Sequence, residues 1–112
     1  MPYSFHNKTF RVLRNDGPGA EVNENTVFHF RQVDDVVHAD YSGGKVKMGK
    51  LIGLLEGDRI RFRYVQVNEN GEFHAGHSVD RIETTADGKI RLIDEWEWET
   101  KTGKESCILE ES

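Results

Sequence analysis

Apolar and polar residues alternate along most of this chain, in short runs cut off by turn signals. A period of two is the mark of a strand with one buried face. No stretch carries apolar residues at three and four spacing over several turns, so helices are not expected. Eight runs stand out: about Lys8 to Arg14, Thr26 to Val33, Val36 to Tyr41, Lys45 to Leu55, Arg59 to Val67, Glu72 to Glu83, Lys89 to Thr100 and Glu105 to Glu110. Between them lie Asp34-Asp35, Gly43-Gly44, Glu56-Gly57-Asp58, Asn70-Gly71, Asp87-Gly88 and Thr102-Gly103. Asn-Gly and Asp-Gly suit tight hairpin turns, which need positive φ at their centre. The glycine excess therefore reads as turn chemistry. Asn15 to Asn25, with Gly17-Pro18-Gly19 inside it, is the one long connection expected.

Turn positions set register, and register sets which face each side chain uses. With Asn70-Gly71 as a two-residue turn, Tyr64 faces His77 and Phe62 faces Val79. With Asp87-Gly88 read the same way, His77 faces Trp98, Val79 faces Trp96 and Arg81 faces Asp94. Thr102-Gly103 would place Trp98 opposite Cys107 and Trp96 opposite Leu109. One face then carries Phe62, Tyr64, Val79, Trp96, Trp98 and Leu109. The other carries Arg61, Arg63, Ser78, Asp80, Glu95 and Glu97. Asp34-Asp35 adds Phe28 opposite Tyr41 and Phe30 opposite Ala39, with His29 opposite Asp40 and His38 opposite Arg31 outside.

An even number of hairpin-linked strands can close, strand eight antiparallel to strand one, and closure removes both edges. The expected fold is all-β: a single eight-stranded antiparallel up-and-down barrel over residues 1–112, of the lipocalin or streptavidin kind. A two-layer β-sandwich is the alternative. A chain of 112 residues has room for one such domain.

Composition narrows the function. A net charge of −5 argues against non-specific nucleic-acid binding, which needs many cations to neutralise phosphates. One cysteine excludes an internal disulfide and a multi-cysteine metal site. No apolar run approaches the roughly 20 residues of a membrane helix, and Met-Pro-Tyr-Ser-Phe-His-Asn-Lys at the start has no signal-peptide pattern. These features point to a cytoplasmic protein with no membrane or nucleic-acid partner. The histidines His6, His29, His38, His74 and His77 show no ligand spacing on one strand face, so no metal is expected.

The inward face is mixed. Tyr64, Gln66 and His77, with Arg81 and Asp94, are expected to point inward beside Trp96 and Trp98, and Tyr41 joins them from another wall. Buried polar groups need partners. One reading is a structural network, with Arg81 pairing with Asp94 and His77 bonding the Tyr64 hydroxyl. The other is a pocket, since aromatic walls with a few convergent polar groups build small-ligand sites. Tyr41, Tyr64, Gln66, His77, Trp96 and Trp98 are the candidate ligand-binding residues. Lys50 faces inward if Gly43-Gly44 sets its register and outward if Gly57-Asp58 does; a bulge near Gly49 or a longer turn at Glu56-Gly57-Asp58 would reconcile the two. Lys50 is expected at the mouth or outside.

Catalytic signatures are sparse: there is no Gly-x-Ser-x-Gly, Walker loop or His-Glu-x-x-His. Cys107 reads as a small hydrophobe. Arg14 to Ala20 fits the Arg-x-x-Gly-x-Gly/Ala string with which acetyltransferases hold a coenzyme A pyrophosphate. That string needs a helix N-terminus behind it, and here a strand follows.

Thr9 to Arg11, Thr26 to Gln32, Tyr41 to Leu54, Arg63 to Glu72 and Gly88 to Trp98 together resemble a family of short bacterial proteins labelled N-acetylglutamate synthase. The resemblance runs along nearly the whole chain. It implies an acetyl-coenzyme A-dependent enzyme by label, but brings no catalytic residues, and the chain has neither the length nor the helices of an acetyltransferase domain. The leading expectation is a non-enzymatic barrel that binds a small ligand, without a cofactor. The alternatives are the synthase and a self-associating structural protein, a homodimer through Ile93, Val65 or Val67.

Overall fold

Each alternating run becomes a strand in the computed structural model, which describes residues 3–15 and 20–112. The strands are β1 (Lys8–Asn15), β2 (Val27–Val33), β3 (Val36–Gly43), β4 (Val46–Glu56), β5 (Arg59–Asn68), β6 (Phe73–Thr84), β7 (Ile90–Trp98) and β8 (Lys104–Glu111). They form a closed barrel in sequence order, and β1 pairs antiparallel with β8. No helix occurs among the described residues. Closure leaves no free edge, so the barrel stands and the two-layer alternative does not.

Turn length decides where sequence reading holds. Asp34-Asp35 and Gly57-Asp58 are two-residue turns, and Phe28 faces Tyr41 and Phe30 faces Ala39 as expected. Asn70-Gly71 and Asp87-Gly88 are not. Asn68 N–H donates to the Glu72 carbonyl, and Thr85 N–H to that of Lys89, so each loop holds three residues. Gly71 and Gly88 close these loops at φ 80° and 83°, the geometry of a three-residue hairpin. Each odd loop moves the register by one. The two shifts fall on either side of β6 and turn that strand over relative to the reading above. Ser78 and Asp80 point inward, opposite Trp96 and Asp94. Val79, His77 and Arg81 point outward. Between β7 and β8 the loop is longer by an even number, so faces are kept but partners slide: Asp94 faces Cys107 and Leu92 faces Leu109.

On β4 the pairing with β5 shifts between Val46 and Met48. This bulge puts Gly49, Leu51, Gly53 and Leu55 inward and Lys50 outward, where its Nζ lies 2.6 Å from Asp40 Oδ1. Six glycines among the described residues do hold positive φ, at or beside turns. Gly49, Gly53 and Gly76 do not: they lie in strands, directly opposite Tyr41, Phe62 and Tyr64. A β-carbon at any of them would come within 2.4 Å of the facing aromatic ring or its hydroxyl. These glycines make room for large interior rings.

The two ends of the barrel differ. Phe5 is fully buried and packs on Phe10 and Phe30, with ring centroids 5.8 Å apart. Val37, Ile60, Ile82 and Leu92 complete that apolar end. Toward the other end the interior becomes polar, with Tyr41, Gln66, Asn68 and the two tryptophans. That is the end crossed by the β1–β2 connection.

Candidate functional site

Polar side chains in a closed interior must find partners or carry a cost of a few kcal/mol. At the polar end they split into a satisfied set and an unsatisfied one. Tyr41 Oη donates to Gln66 Oε1 at 2.7 Å, which fixes the amide, and Gln66 Nε2 donates to Glu21 Oε1 at 2.8 Å. Asn68 Nδ2 reaches Glu21 Oε2 at 2.7 Å, and Lys101 Nζ lies 3.3 Å from the same oxygen. Glu21 comes from the β1–β2 connection and is 6% exposed, so it plugs the mouth. Burial pushes its carboxyl up, but Asn68, Gln66 and Lys101 together hold it below the usual range. Lys101 also stands over the Trp98 ring, 4.7 Å from its centroid. Trp96 Nε1 donates to Asn15 Oδ1 at 3.1 Å.

Below this network, Asp80 Oδ1 and Oδ2, Asp94 Oδ1 and Trp98 Nε1 are buried without a partner. Asp80 has no exposure at all, and Asp94 is half-buried. Burial pushes both carboxyls up: Asp80 well above the usual range, with the Asp94 charge adding to it, and Asp94 to about 6, where hydrogen bonds with Asp80 and Ser78 oppose the burial. Tyr41 and Tyr64 are held neutral by burial first; the Tyr64 phenol and then Asp94 and Glu21 add to it at Tyr41, and Asp94, Glu99 and Glu97 at Tyr64.

A cavity of about 50 Å³ lies among these groups. Its wall includes Tyr41, Tyr64, Gln66, Trp96 and Trp98. That is enough for about three waters. Tyr64 and Trp98 meet edge to face at 5.7 Å, and Trp96 and Trp98 at 5.6 Å. The Tyr64 hydroxyl donates to the Glu97 carbonyl at 3.2 Å.

The family comparison agrees with this geometry: the avidin-like protein family matches residues 3–112. The chain belongs to the avidin-like family. No curated protein and no solved structure gives a significant match. The fold of this avidin-like chain is thus the streptavidin kind of barrel, and small-molecule binding is the function its family suggests.

Five of the six candidate residues of this avidin-like barrel line the cavity, and His77 does not. His77 stands outside, with Nδ1 2.7 Å from Glu99 Oε2 and Nε2 3.3 Å from Glu97 Oε1. Arg63 reaches the same Glu99 carboxylate at 2.7 Å. The expected interior pairs are absent: Arg81 meets Glu83 outside, 3.3 Å away, and His77 cannot reach the Tyr64 hydroxyl. Sequence reasoning missed Ser78 and Asp80, which the overturned strand hid, and Glu21, which lies in a connection with no periodicity to read. In the Arg14 to Ala20 string, residues 16–19 lie outside the described residues, and β2 follows instead of a helix.

Proposed function

We propose that this protein binds a small organic ligand at the polar end of its barrel and does not transform it. The observation that carries this reading is the set of buried, unpartnered polar atoms on Asp80, Asp94 and Trp98 around a cavity. An interior evolved only for packing would pair or omit them. Tyr41, Tyr64, Trp96 and Trp98 supply apolar wall, and Gln66 supplies an oriented amide. The cavity as it stands admits a small head group. A larger ligand enters by displacing Glu21 at the mouth. The interior offers carboxyls where a coenzyme A pyrophosphate needs donors, which weighs against an acetyltransferase.

Both tryptophans border the cavity, so tryptophan emission reports occupancy. Titration with a panel of small metabolites, biotin among them, is expected to shift emission for at least one compound, and the Trp98→Phe variant to lose most of that response. No shift in emission or melting temperature across the panel overturns the reading.

A second reading is self-association through the outer wall. Ile52, Leu54, Val65 and Val79 are exposed together on β4, β5 and β6. Of the residues expected in such a patch, Val65 is exposed, while Ile93 and Val67 are half-buried. Light scattering at high concentration tests it: a monomer removes this reading.

A further inference from the structure

Asp80 and Asp94 face each other directly across the β6–β7 ladder. Direct cross-strand partners hold their β-carbons about 5 Å apart. Three of their carboxyl oxygens are buried and bare. No lysine, arginine or histidine is among the residues described as lining the cavity they share. Lys101 stays at the mouth, engaged with Glu21 and Trp98. Ser78 is the one hydroxyl beside the pair, and one donor cannot serve two buried carboxyls that have no counter-charge, so a further partner comes from outside the chain.

Three kinds of partner supply positive charge. A proton shared by the pair relieves repulsion but leaves lone pairs unused. A metal ion asks for more: calcium takes six to eight oxygens, and the described residues contain no group of three or more metal-capable side chains. A primary ammonium carries three N–H donors on a compact head. That number equals the bare oxygens, and the head suits a cavity of about 50 Å³. Tyr64 and Trp98 border the same space, and aromatic faces attract cations.

We propose that the Asp80–Asp94 pair takes the primary ammonium head of a small organic ligand. This rests on the ligand-binding reading above and gives it a substrate class. The Trp98 Nε1–H remains to donate to an acceptor further along the ligand. The ammonium competes with the protons the pair holds, so affinity rises with pH as Asp94 loses its proton. Among the described residues, the other titratable groups near the pair are Cys107 on β8, Tyr64 on β5, Tyr41 on β3, Glu95 beside Asp94 on β7 and Glu21 at the mouth. Both phenols stay neutral at pH 8, because burial pushes them up.

Calorimetry on the full chain with propylammonium chloride and with propan-1-ol, at pH 8 and pH 5, tests the assignment. Propylammonium is expected to bind at pH 8 about tenfold or more tighter than propan-1-ol, the worth of one charge-assisted hydrogen bond, and more weakly at pH 5. Asp80→Asn and Asp94→Asn are each expected to abolish that preference, with circular dichroism showing the fold retained. Exterior Asp40→Asn is expected to change nothing. Equal binding of the two probes, or a preference that survives both interior substitutions, overturns the ammonium assignment and leaves the ligand site standing. Silence from both probes overturns the assignment alone if the metabolite titration gives a response with compounds lacking an ammonium group. If that titration is silent too, the site reading falls with it.

Discussion

Tyr41 stands directly across the β3–β4 ladder from Gly49, and its ring occupies the space where a β-carbon on that glycine would sit. The contact would be 2.3 Å from two ring carbons. Tyr41 in turn stacks on Phe28 at 4.6 Å and donates to Gln66. Absence of a side chain at position 49 therefore sets the position of an aromatic wall and of the amide beyond it.

Gly49→Ala follows from that relationship. The ring cannot retreat, because Phe28 lies behind it. Overpacking of this kind costs about 2 kcal/mol, a little offset by the lower entropy of alanine in the unfolded chain. The expected fall in melting temperature is ~10 °C, read by circular dichroism. An unchanged melting temperature would show that the ring moves freely.

Tyr41→Phe keeps the ring and removes the hydroxyl. Gln66 Oε1 then loses its donor in a site 2% exposed. Leaving a buried acceptor bare costs about 1–3 kcal/mol. Urea unfolding is expected to show a lower midpoint with an unchanged slope, since the surface exposed on unfolding stays the same.

Much of this is legible in the sequence, and the exceptions have two causes. Alternation located all eight strands within a residue or two and implied a closed barrel. Tyr41, Gln66, Trp96 and Trp98 were placed correctly because β3, β5 and β7 keep their faces. β6 was turned over because Asn-Gly and Asp-Gly fit a two-residue turn and a three-residue loop with a left-handed glycine almost equally well. Two equal errors on either side of one strand cancel everywhere else, so the agreement of three turns could not expose them. The pattern within β6 gave a signal in Ser78 and Asp80: a strand that carries Ile82 and Gly76 in step with them buries polar groups whichever way it lies. Glu21 was beyond reach because an irregular connection has no period to read.

His77→Ala separates the two orientations of β6. An outward His77 engages Glu97 and Glu99 in water, where such pairs contribute little. The expected change in stability is within about 0.5 kcal/mol, and the fluorescence response to ligand is expected to persist. Loss of that response would return His77 to the interior.

Asp80→Asn changes the pH dependence of stability as well as its size. In the unfolded chain both aspartates release their protons near the ordinary value of 3.8. In the fold they keep them longer, to about 6 for Asp94 and higher for Asp80. The folded state therefore binds more protons between pH 4 and pH 6, and stability falls as pH rises through that window. Glu21 works the other way: held low by its donors, it contributes stability above its unfolded value of 4.5 that is lost as pH falls below it. Asparagine at 80 has no proton to lose and can donate from its amide to Asp94, which then ionises against a donor instead of a second acid. The variant is expected to be more stable than the parent at pH 8, on the order of 2 kcal/mol, and to lose the share of the decline that Asp80 contributes, while the share of Asp94, set by burial, remains. Thermal melts at half-unit pH intervals measure both. A parent protein whose stability rises through that window would show that the pair is already satisfied.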